Sequence, residues 1–287
     1  MQDLLVSLQE FLPLIYVQVF QDPMYWQVGV YTLLISITTF LLFALPWTLL
    51  AYIDPKSLQK YKIQDKVFQV KRYFLANLAR IAINSCIFLV ILTLVWPLFT
   101  IFNTIHTGNF PAWYIVIAQL IFFIFLDDFL YYWLHRAMHT RWLLVNVHSV
   151  HHRIKNTCAL DGNYFHWFEF LATGSLALVA PLILGAHLYV LWIWIIIRQF
   201  EAADGHCGYD LPYNPVKLIP LYHGAVYHDF HHARFKGNYS GFLSYLDGFM
   251  GNTYIPQYLT YIKEKSKQKA ETKNKMKRQE KDLTVKS

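Results

Sequence analysis

The chain has 287 residues, of which 55% are hydrophobic and 18% aromatic, with a formal net charge of +7. This composition argues against an ordinary soluble domain and indicates an integral membrane protein. The three cysteines, Cys86, Cys158 and Cys207, are far apart and form no CxxC pair, which excludes a disulfide framework and a thiolate metal site.

Residues 1–119 are predicted to form an N-terminal membrane region. Within it, residues 1–21 mix apolar side chains with charged and amide ones, a pattern typical of an interfacial helix. No Lys or Arg precedes Lys56, so the pattern is not that of a secretory signal peptide. Three apolar runs are long enough to span a bilayer: residues 28–52, 81–102 and 111–134.

The distribution of basic residues predicts the orientation of these spans. Residues 53–78 contain six Lys or Arg against two Asp, whereas the link 103–110 contains no Lys or Arg. Arg136 and Arg141 then follow the third span. By the positive-inside rule, residues 53–78 and the segments after the third span face the cytosol, and the link 103–110 faces the lumen.

The apolar segment 170–198 is predicted to be a hairpin that dips into the membrane and returns. It is uncharged until Arg198 and is interrupted by Pro181 and Gly185. Each half has about a dozen residues, roughly 18 Å as a helix, which is too short to cross a hydrocarbon core of about 30 Å upright. One ordinary spanning helix is the alternative, but it would separate His206 and the last histidine motif from the earlier ones.

Histidines provide the strongest functional signal. Of the thirteen in the chain, eight lie in one HxxxH and two HxxHH motifs. Residues three and four apart share a helix face, so each motif can present several imidazoles to one ion, with the first and fourth histidines of HxxHH on one face. Imidazole binds zinc, iron, copper and nickel, and one ion takes only about four to six ligands. The motifs therefore indicate two metal ions, although separate histidines satisfied by hydrogen bonds are the alternative. The predicted ligands are His135, His139, His148, His151, His152, His228, His231 and His232, with His166 and His206 as two more.

Carboxylates near these motifs are predicted to orient the ligands. Asp127 and Asp128 lie in the third apolar run, and charged groups inside a bilayer are costly and usually functional. Asp128 shares a helix stripe with His135 and His139, so it is expected to hold the second ring nitrogen of a histidine. The alternative is that one of the two aspartates only caps a helix or pairs with an arginine. The further candidates are Asp161, Glu169, Glu201, Asp204 and Asp229.

The predicted fold is an all-α integral membrane protein, with transmembrane helices, a membrane-dipping helical hairpin and a cytosolic histidine-rich di-metal cap. Residues 120–258 are expected to form the catalytic domain, and residues 259–287 a basic, flexible tail. The basic tail has no interleaved aromatic residues and no nucleotide-binding glycine motif is present, so nucleic acid and nucleotide are not expected partners. A membrane metal transporter is disfavoured because the motifs lie outside the spans. His106 and His187 are expected to be structural, and His223 is left undecided.

Further strings in the second half of the chain accompany the histidine motifs. They are Asn163 to His166 with Glu169, Glu201 to Pro212, Asn214-Pro215, Leu218 to Pro220, Gly237 to Tyr239 and Asp247. Together with His135-Arg136, the two HxxHH motifs and the membrane spans, they resemble the sterol desaturase and fatty acid hydroxylase superfamily over roughly residues 120–255. Within it, they most resemble the C-4 methylsterol monooxygenases. Tyr227, His223 and Asn252 depart from that pattern.

The resemblance implies a di-iron oxygenase of the endoplasmic reticulum membrane that uses O₂ and oxidises the C-4 methyl group of a sterol. It also implies electrons from a reduced nicotinamide, delivered by cytochrome b5 and its reductase, and contact with membrane lipid. Other sterol or lipid hydroxylases and desaturases of the superfamily, including those that act on the sterol side chain, are the alternative.

Overall fold

The computed structural model describes residues 19–251 and, outside this range, residues 13, 260, 263–265, 267, 268, 270, 271 and 274. These residues are helical and contain no β-strand, which confirms the all-α prediction. Most of the predicted interfacial helix, most of the basic tail and Asn252 lie outside the described residues. The helices are α1 (Tyr25–Ile53), α2 (Val70–Phe102), α3 (Trp113–Met138), α4 (Trp167–Ile183), α5 (Leu188–Gly205), α6 (Gly224–Arg234) and α7 (Tyr245–Met250).

The three long helices α1, α2 and α3 are each apolar and long enough to cross a membrane. α1 and α2 contain the predicted spans 28–52 and 81–102, and α3 contains all but the first two residues of the span 111–134. Their outward side chains, such as Leu42, Leu75 and Ile101, are exposed apolar groups, as expected where lipid is the solvent. α2 begins earlier than predicted because the basic residues Lys71 and Arg72 form its first turn and place charge at the end of the span.

Helices α4 and α5 form the predicted hairpin, with longer arms than the sequence indicated. They have 17 and 18 residues, about 26 Å each at helical rise. The turn between them uses Gly185 at φ +56°, a conformation that glycine adopts without strain. It is joined to the link 103–110: His106 N donates to Ala186 O, and Leu188 N donates to His106 O. The hairpin therefore runs to the end of the bundle where α2 passes into α3, and both its outer ends lie at the opposite end.

The core of the bundle lies where the hairpin packs against the long helices. Trp96 of α2, Phe123 of α3 and Trp194 of α5 are fully buried in one apolar cluster. Trp194 also donates its indole N–H to the carbonyl of Ala177 in α4, at 2.9 Å. This hydrogen bond ties the two arms of the hairpin together beneath the site.

The other segments between the helices form one cap at the end opposite the hairpin turn and the link 103–110. Ile63 N donates to Gly208 O at 3.1 Å, and Gln64 Nε2 donates to Asp229 Oδ1 at 2.7 Å. Gly208 has φ +75°, and a Cβ there would lie 2.6 Å from the carbonyl oxygen of Thr157, so only glycine fits this contact. The basic loop after α1 thus packs on the histidine-rich segments, and the two lie at the same end of the molecule.

Candidate metal centre

Nine histidines converge in the cap as two groups. Within each group, the ligand atoms lie within 4.8 Å of one another. Eight of the nine side chains are buried, and His139 is half-buried. The five-histidine group consists of His135, His139, His148, His152 and His231, and the four-histidine group consists of His151, His206, His228 and His232.

Each HxxHH motif contributes to both groups. The first and fifth histidines pair, with Nε2–Nε2 distances of 3.0 Å for His148 and His152 and 3.2 Å for His228 and His232. The fourth histidine crosses to the other group, so His151 lies 3.1 Å from His232. The first and fourth histidines, expected on one helix face, therefore lie in different groups. At about 100° per residue, residues i+3 and i+4 project on opposite sides of residue i, and the two groups lie on those two sides.

In several of these histidines, the ring nitrogen Nδ1 lies next to a group that can only accept a hydrogen bond. Nδ1 of His135, His231 and His232 lies 2.8, 2.7 and 3.1 Å from the backbone oxygens of Tyr239, Gly237 and Ile154. A carbonyl oxygen only accepts, so Nδ1 carries the proton and Nε2 keeps its lone pair. Lone pairs about 3 Å apart repel one another unless a cation lies between them. The donor set thus fits metal ions, and the carbonyls fix the tautomer that ligation requires.

The electrostatics of the cap keep these rings neutral. Burial lowers the pKa of His139 and of His206 to about 4 each, although each ring also has a backbone hydrogen bond that opposes the shift. A neutral imidazole is the form that binds a metal. Burial, followed by neighbouring histidines, moves the pKa well below its ordinary value for His148, His151, His152, His228, His231 and His232.

Glu169 is the carboxylate that holds a histidine of the centre. Its Oε1 lies 2.6 Å from Nδ1 of His148, and both side chains are almost fully buried. The geometry is that of a carboxylate–histidine pair, which orients the ring and raises the basicity of Nε2. Glu169 lies in the first turn of α4, so the hairpin itself supports the five-histidine group.

The part of the chain that carries the histidines matches a known family. The fatty acid hydroxylase family model matches residues 120–252, which include all nine histidines. Very-long-chain aldehyde decarbonylase GL1-11 of Oryza sativa subsp. indica is 35% identical over 225 residues, covering 77% of this chain and 84% of that protein. The chain belongs to the fatty acid hydroxylase family. Methylsterol monooxygenases 2-1 and 2-2 of Arabidopsis thaliana are 33% and 36% identical, with 72% of this chain covered in both and 82% and 79% of the relatives. No solved structure matches the chain significantly.

This family is of the di-iron oxygenase type, and the two histidine groups have the donors that such a centre needs. The superfamily membership predicted from the motifs is confirmed, and the chain is an oxidoreductase of that superfamily. The remaining carboxylates and histidines of the chain differ more from expectation.

Asp128 contacts no histidine ring among the described residues, contrary to expectation. Its Oδ1 accepts from the backbone N–H groups of residues 241–243, at 3.1, 2.9 and 3.3 Å. These residues continue the loop whose carbonyls, at Gly237 and Tyr239, hold His231 and His135. Asp128 therefore acts on the histidines through the backbone of this loop. The reason is that the backbone N–H groups of this loop occupy its Oδ1.

The other predicted carboxylates mainly brace the cap. Asp204 accepts from the hydroxyl of Tyr222 at 2.7 Å and from Asn214 at 3.0 Å, which fixes the proline-containing loop. Asp229 accepts from Gln64, as described above. Glu201 lines two cavities beside His228.

Asp127 and Asp161 also serve the scaffold. Asp127 Oδ2 lies 2.8 Å from Nη1 of Arg198, which joins α3 to α5 and matches the arginine-pair alternative. Asp161 accepts from Asn77 at 2.8 Å and from the backbone N–H of Cys158, in the turn after the second histidine motif.

His166 is in neither histidine group of the described residues, which corrects the expectation that it joins them. It is the N-cap of α4, where Nδ1 accepts from the N–H of Phe168 at 3.3 Å. A ring used as a cap points along its own helix and away from the cluster. His106 and His187 also lie outside both groups: His187 Nε2 donates to Gly108 O, and the two rings are 5.4 Å apart.

Tyr227 and His223, the departures from the family pattern, also support the loop after the last motif. The Tyr227 hydroxyl donates to Asp247 Oδ2 at 2.6 Å, and Asp247 accepts from the backbone N–H groups of Tyr239 and Ser240. The His223 ring stacks on Tyr227 at 5.3 Å. Sequence reasoning missed the carbonyl acceptors of the cap altogether, because every residue type carries one.

A large cavity connects the centre to the membrane-embedded part of the bundle. It has a volume of about 130 Å³ and lies between α1, α2, α4 and α5, and His206 and His228 line its inner end. Apolar residues such as Leu92 and Trp96 form its outer wall. Substrate held there would lie beside the four-histidine group.

Proposed function

We propose that this protein is a di-iron monooxygenase of sterol biosynthesis that oxidises the C-4 methyl group of 4-methylsterols. It would act in the endoplasmic reticulum membrane with the cap on the cytosolic side. Electrons would come from a reduced nicotinamide through cytochrome b5 and its reductase. The observation that carries the proposal is the apolar cavity that ends on His206 and His228.

The two histidine groups would each hold one iron ion. Bound iron supplies the activation of O₂ and the attack on an unactivated C–H bond. The balanced change is R–CH₃ + O₂ + 2 e⁻ + 2 H⁺ → R–CH₂OH + H₂O, repeated as the methyl group is oxidised towards a carboxylate. The chain supplies the ligands, their fixed tautomers and an apolar wall that excludes water.

Polar side chains near the inner end of the cavity favour a substrate with an oxygen next to the reacting carbon. Gln199 Nε2 donates to Ser36 Oγ at 2.9 Å, and Asn163 Nδ2 lies 3.5 Å from Gln199 Oε1. All three residues line the cavity. In a sterol, C-4 adjoins the carbon that bears the 3-hydroxyl, so a polar anchor near the metal end would orient the C-4 methyl group towards it.

The second candidate is action on a very-long-chain aldehyde. Its support is the similarity to aldehyde decarbonylases, which equals the similarity to methylsterol monooxygenases. A linear chain with a polar end would also fit a long apolar cavity with a polar inner end. The two candidates differ in their products, so product analysis separates them.

Sterol profiling tests the proposal. The gene is expressed in cells that lack their own C-4 methyl oxidase, and the sterols are quantified by mass spectrometry. We expect the wild-type protein to lower the 4-methylsterols and restore C-4-demethylated sterols, and His231→Ala to leave the 4-methylsterols unchanged.

The same extracts are analysed for aldehydes and for hydrocarbons one carbon shorter. Unchanged sterols together with loss of very-long-chain aldehydes would replace the first candidate by the second. Metal analysis of the purified protein is the independent control, because two ions per chain support the di-metal centre whatever the substrate.

A further inference from the structure

A second, smaller cavity lies on the other side of the four-histidine group. It has a volume of about 10 Å³ and is bounded by the end of α5 and by residues 221–224 and 240–244. Glu201, His228 and Gly241 line both this cavity and the large one. These residues therefore separate the two cavities, which approach the four-histidine group from different directions.

Polar side chains form much of the wall of the small cavity, whereas the outer wall of the large cavity is apolar. Tyr222, His223, Tyr227, Ser240 and Ser244 contribute to its wall. Its volume is about that of one water position, ~10–15 Å³. Its size and lining fit water, and exclude a sterol or a fatty chain.

One side chain of this wall indicates an ordered water. Ser240 is 2% exposed, and its Oγ has no hydrogen-bond partner among the residues that the structure describes. Buried hydroxyls are almost always hydrogen-bonded, and ordered water is the usual partner where the protein offers none. The Ser240 hydroxyl thus has the environment of a group that binds water.

The mouth of the small cavity lies on the cap. Leu221, with half of its side chain exposed, lies at that mouth, and its carbonyl accepts from Ser244 N at 3.1 Å. This hydrogen bond fixes the two loops that form the walls. The opening is therefore at the polar end of the molecule, away from the outward apolar faces of α1–α3.

We propose that the small cavity is a second access route, by which water and other small polar molecules reach the four-histidine group. The inference rests on the proposed oxygenase function, because that reaction consumes two protons and releases one water per oxygen transferred. A substrate in the large cavity would block polar traffic there. Glu201, at the junction with His228, is the polar group that such molecules meet before the metal.

The test measures how fast azide, a small polar probe, binds to the ferric protein in lipid nanodiscs, by stopped-flow absorbance. Ser240→Val fills the small cavity and removes the hydroxyl. Leu221→Trp covers its mouth from an exposed position and does not overpack the core. We expect each variant to slow azide association by about tenfold, with the metal content unchanged.

Two controls make the result specific. Ser85→Val changes another buried serine whose Oγ has no partner, on α2 and outside both cavities. Gly174→Trp fills the large cavity, where a Cβ at Gly174 has only an ordinary contact with Phe88. Wild-type association rates are expected for both controls.

Wild-type rates in Ser240→Val and Leu221→Trp would overturn the proposal, and a slow rate in Gly174→Trp alone would assign access to the large cavity. If Ser240→Val fails to fold, Leu221→Trp decides the question. None of these rates depends on the identity of the substrate, so the sterol assignment can fail while this route stands. Absence of bound metal would instead contradict the proposed function itself.

Discussion

At the scale of single residues, the histidines of the centre depend on backbone carbonyls held by distant side chains. His135 and His231 donate to a loop that is fixed from one side by Asp128 and from the other by Asp247. Neither aspartate contacts a histidine through a hydrogen bond in the described part of the chain. Loss of either should therefore appear first as disorder of the loop and then as loss of metal.

Asp128→Ala is expected to lower the metal content of the five-histidine group. The change removes the acceptor for three backbone N–H groups, so the carbonyls that orient His135 and His231 lose their fixed positions. Outer contacts of metal ligands typically contribute about 10–100-fold in affinity or activity. Elemental analysis should show about one ion per chain instead of two. Asp128→Asn retains an acceptor oxygen and should therefore lose less metal than Asp128→Ala.

Asp22→Ala is the matched control for this prediction. Asp22 also accepts from a backbone N–H, that of Met24, and from the indole of Trp96, but far from the cap. It should reduce thermal stability and leave two ions per chain. Equal metal content in Asp128→Ala and Asp22→Ala would show that the loop does not orient the ligands.

At the scale of elements, close packing between a turn and α5 sets the position of His206. A Cβ on Gly162 would lie 2.6 Å from the carbonyl oxygen of Ala202 and 3.1 Å from Nδ1 of His206. That carbonyl is also the acceptor for His206 Nδ1, at 2.8 Å. The turn Ala159–Asn163 therefore presses directly on the end of α5 that carries a ligand.

Gly162→Ala is expected to empty the four-histidine group selectively. The methyl group must displace the end of α5 and with it His206, whereas the five-histidine group receives no ligand from this helix. We expect about one ion per chain and a protein that remains folded by circular dichroism. Gly174→Ala, whose Cβ would lie 3.6 Å from Phe88, is the control and should retain two ions. Full metal loading in Gly162→Ala would contradict the packing argument.

The sequence predicted the elements of the centre better than their assignment to ions. HxxxH and HxxHH spacing indicated which histidines share helix faces, and the apolar runs indicated the long helices. The spacing does not determine that His151 joins the group of His228 and His232, or that His231 joins the group of His148 and His152. These assignments depend on how the two HxxHH motifs lie relative to each other in space. His166 resembled a ligand in sequence, but an N-cap position before Trp167 was an equally valid reading. The length of the hairpin arms was underestimated because polar residues at the end of α5 were not counted as helix.

At the scale of the whole molecule, the polar cap and the hairpin turn lie at opposite ends. This arrangement predicts that two loops face opposite sides of the membrane. One contains Tyr213 of the cap, which is 93% exposed, and the other is the link 103–110 with Thr107, which is also exposed. In sealed microsomes, a membrane-impermeant maleimide should label Tyr213→Cys at once and Thr107→Cys only after permeabilisation. Both variants carry Cys86→Ser, because Cys86 is the exposed native cysteine. Labelling of both sites before permeabilisation would disprove the predicted topology.

The cluster of neutral histidines should also make the metal-free protein sensitive to acid. Burial lowers the pKa of His139 and His206 to about 4 in the folded state, against about 6.5 in an unfolded chain. Between these values the unfolded chain binds more protons, so stability falls as the pH decreases from about 6.5 towards 4. The thermal midpoint of the metal-free protein should therefore be lower at pH 5 than at pH 7.5. His139→Gln should reduce this dependence, and a midpoint that does not change with pH would refute the explanation.

The two histidine groups draw their ligands from very different stretches of the chain, which sets an order for assembly during translation. When the ribosome has synthesised residues up to the end of the second motif, four of the five-histidine ligands exist, but only His151 of the other group. His206 emerges with the end of the hairpin, and the remaining ligands, His228, His231 and His232, emerge only with α6. The nascent protein can therefore acquire its first ion before the hairpin is in place. The second must wait until the chain has reached His232, so metal-starved cells should accumulate a half-loaded protein.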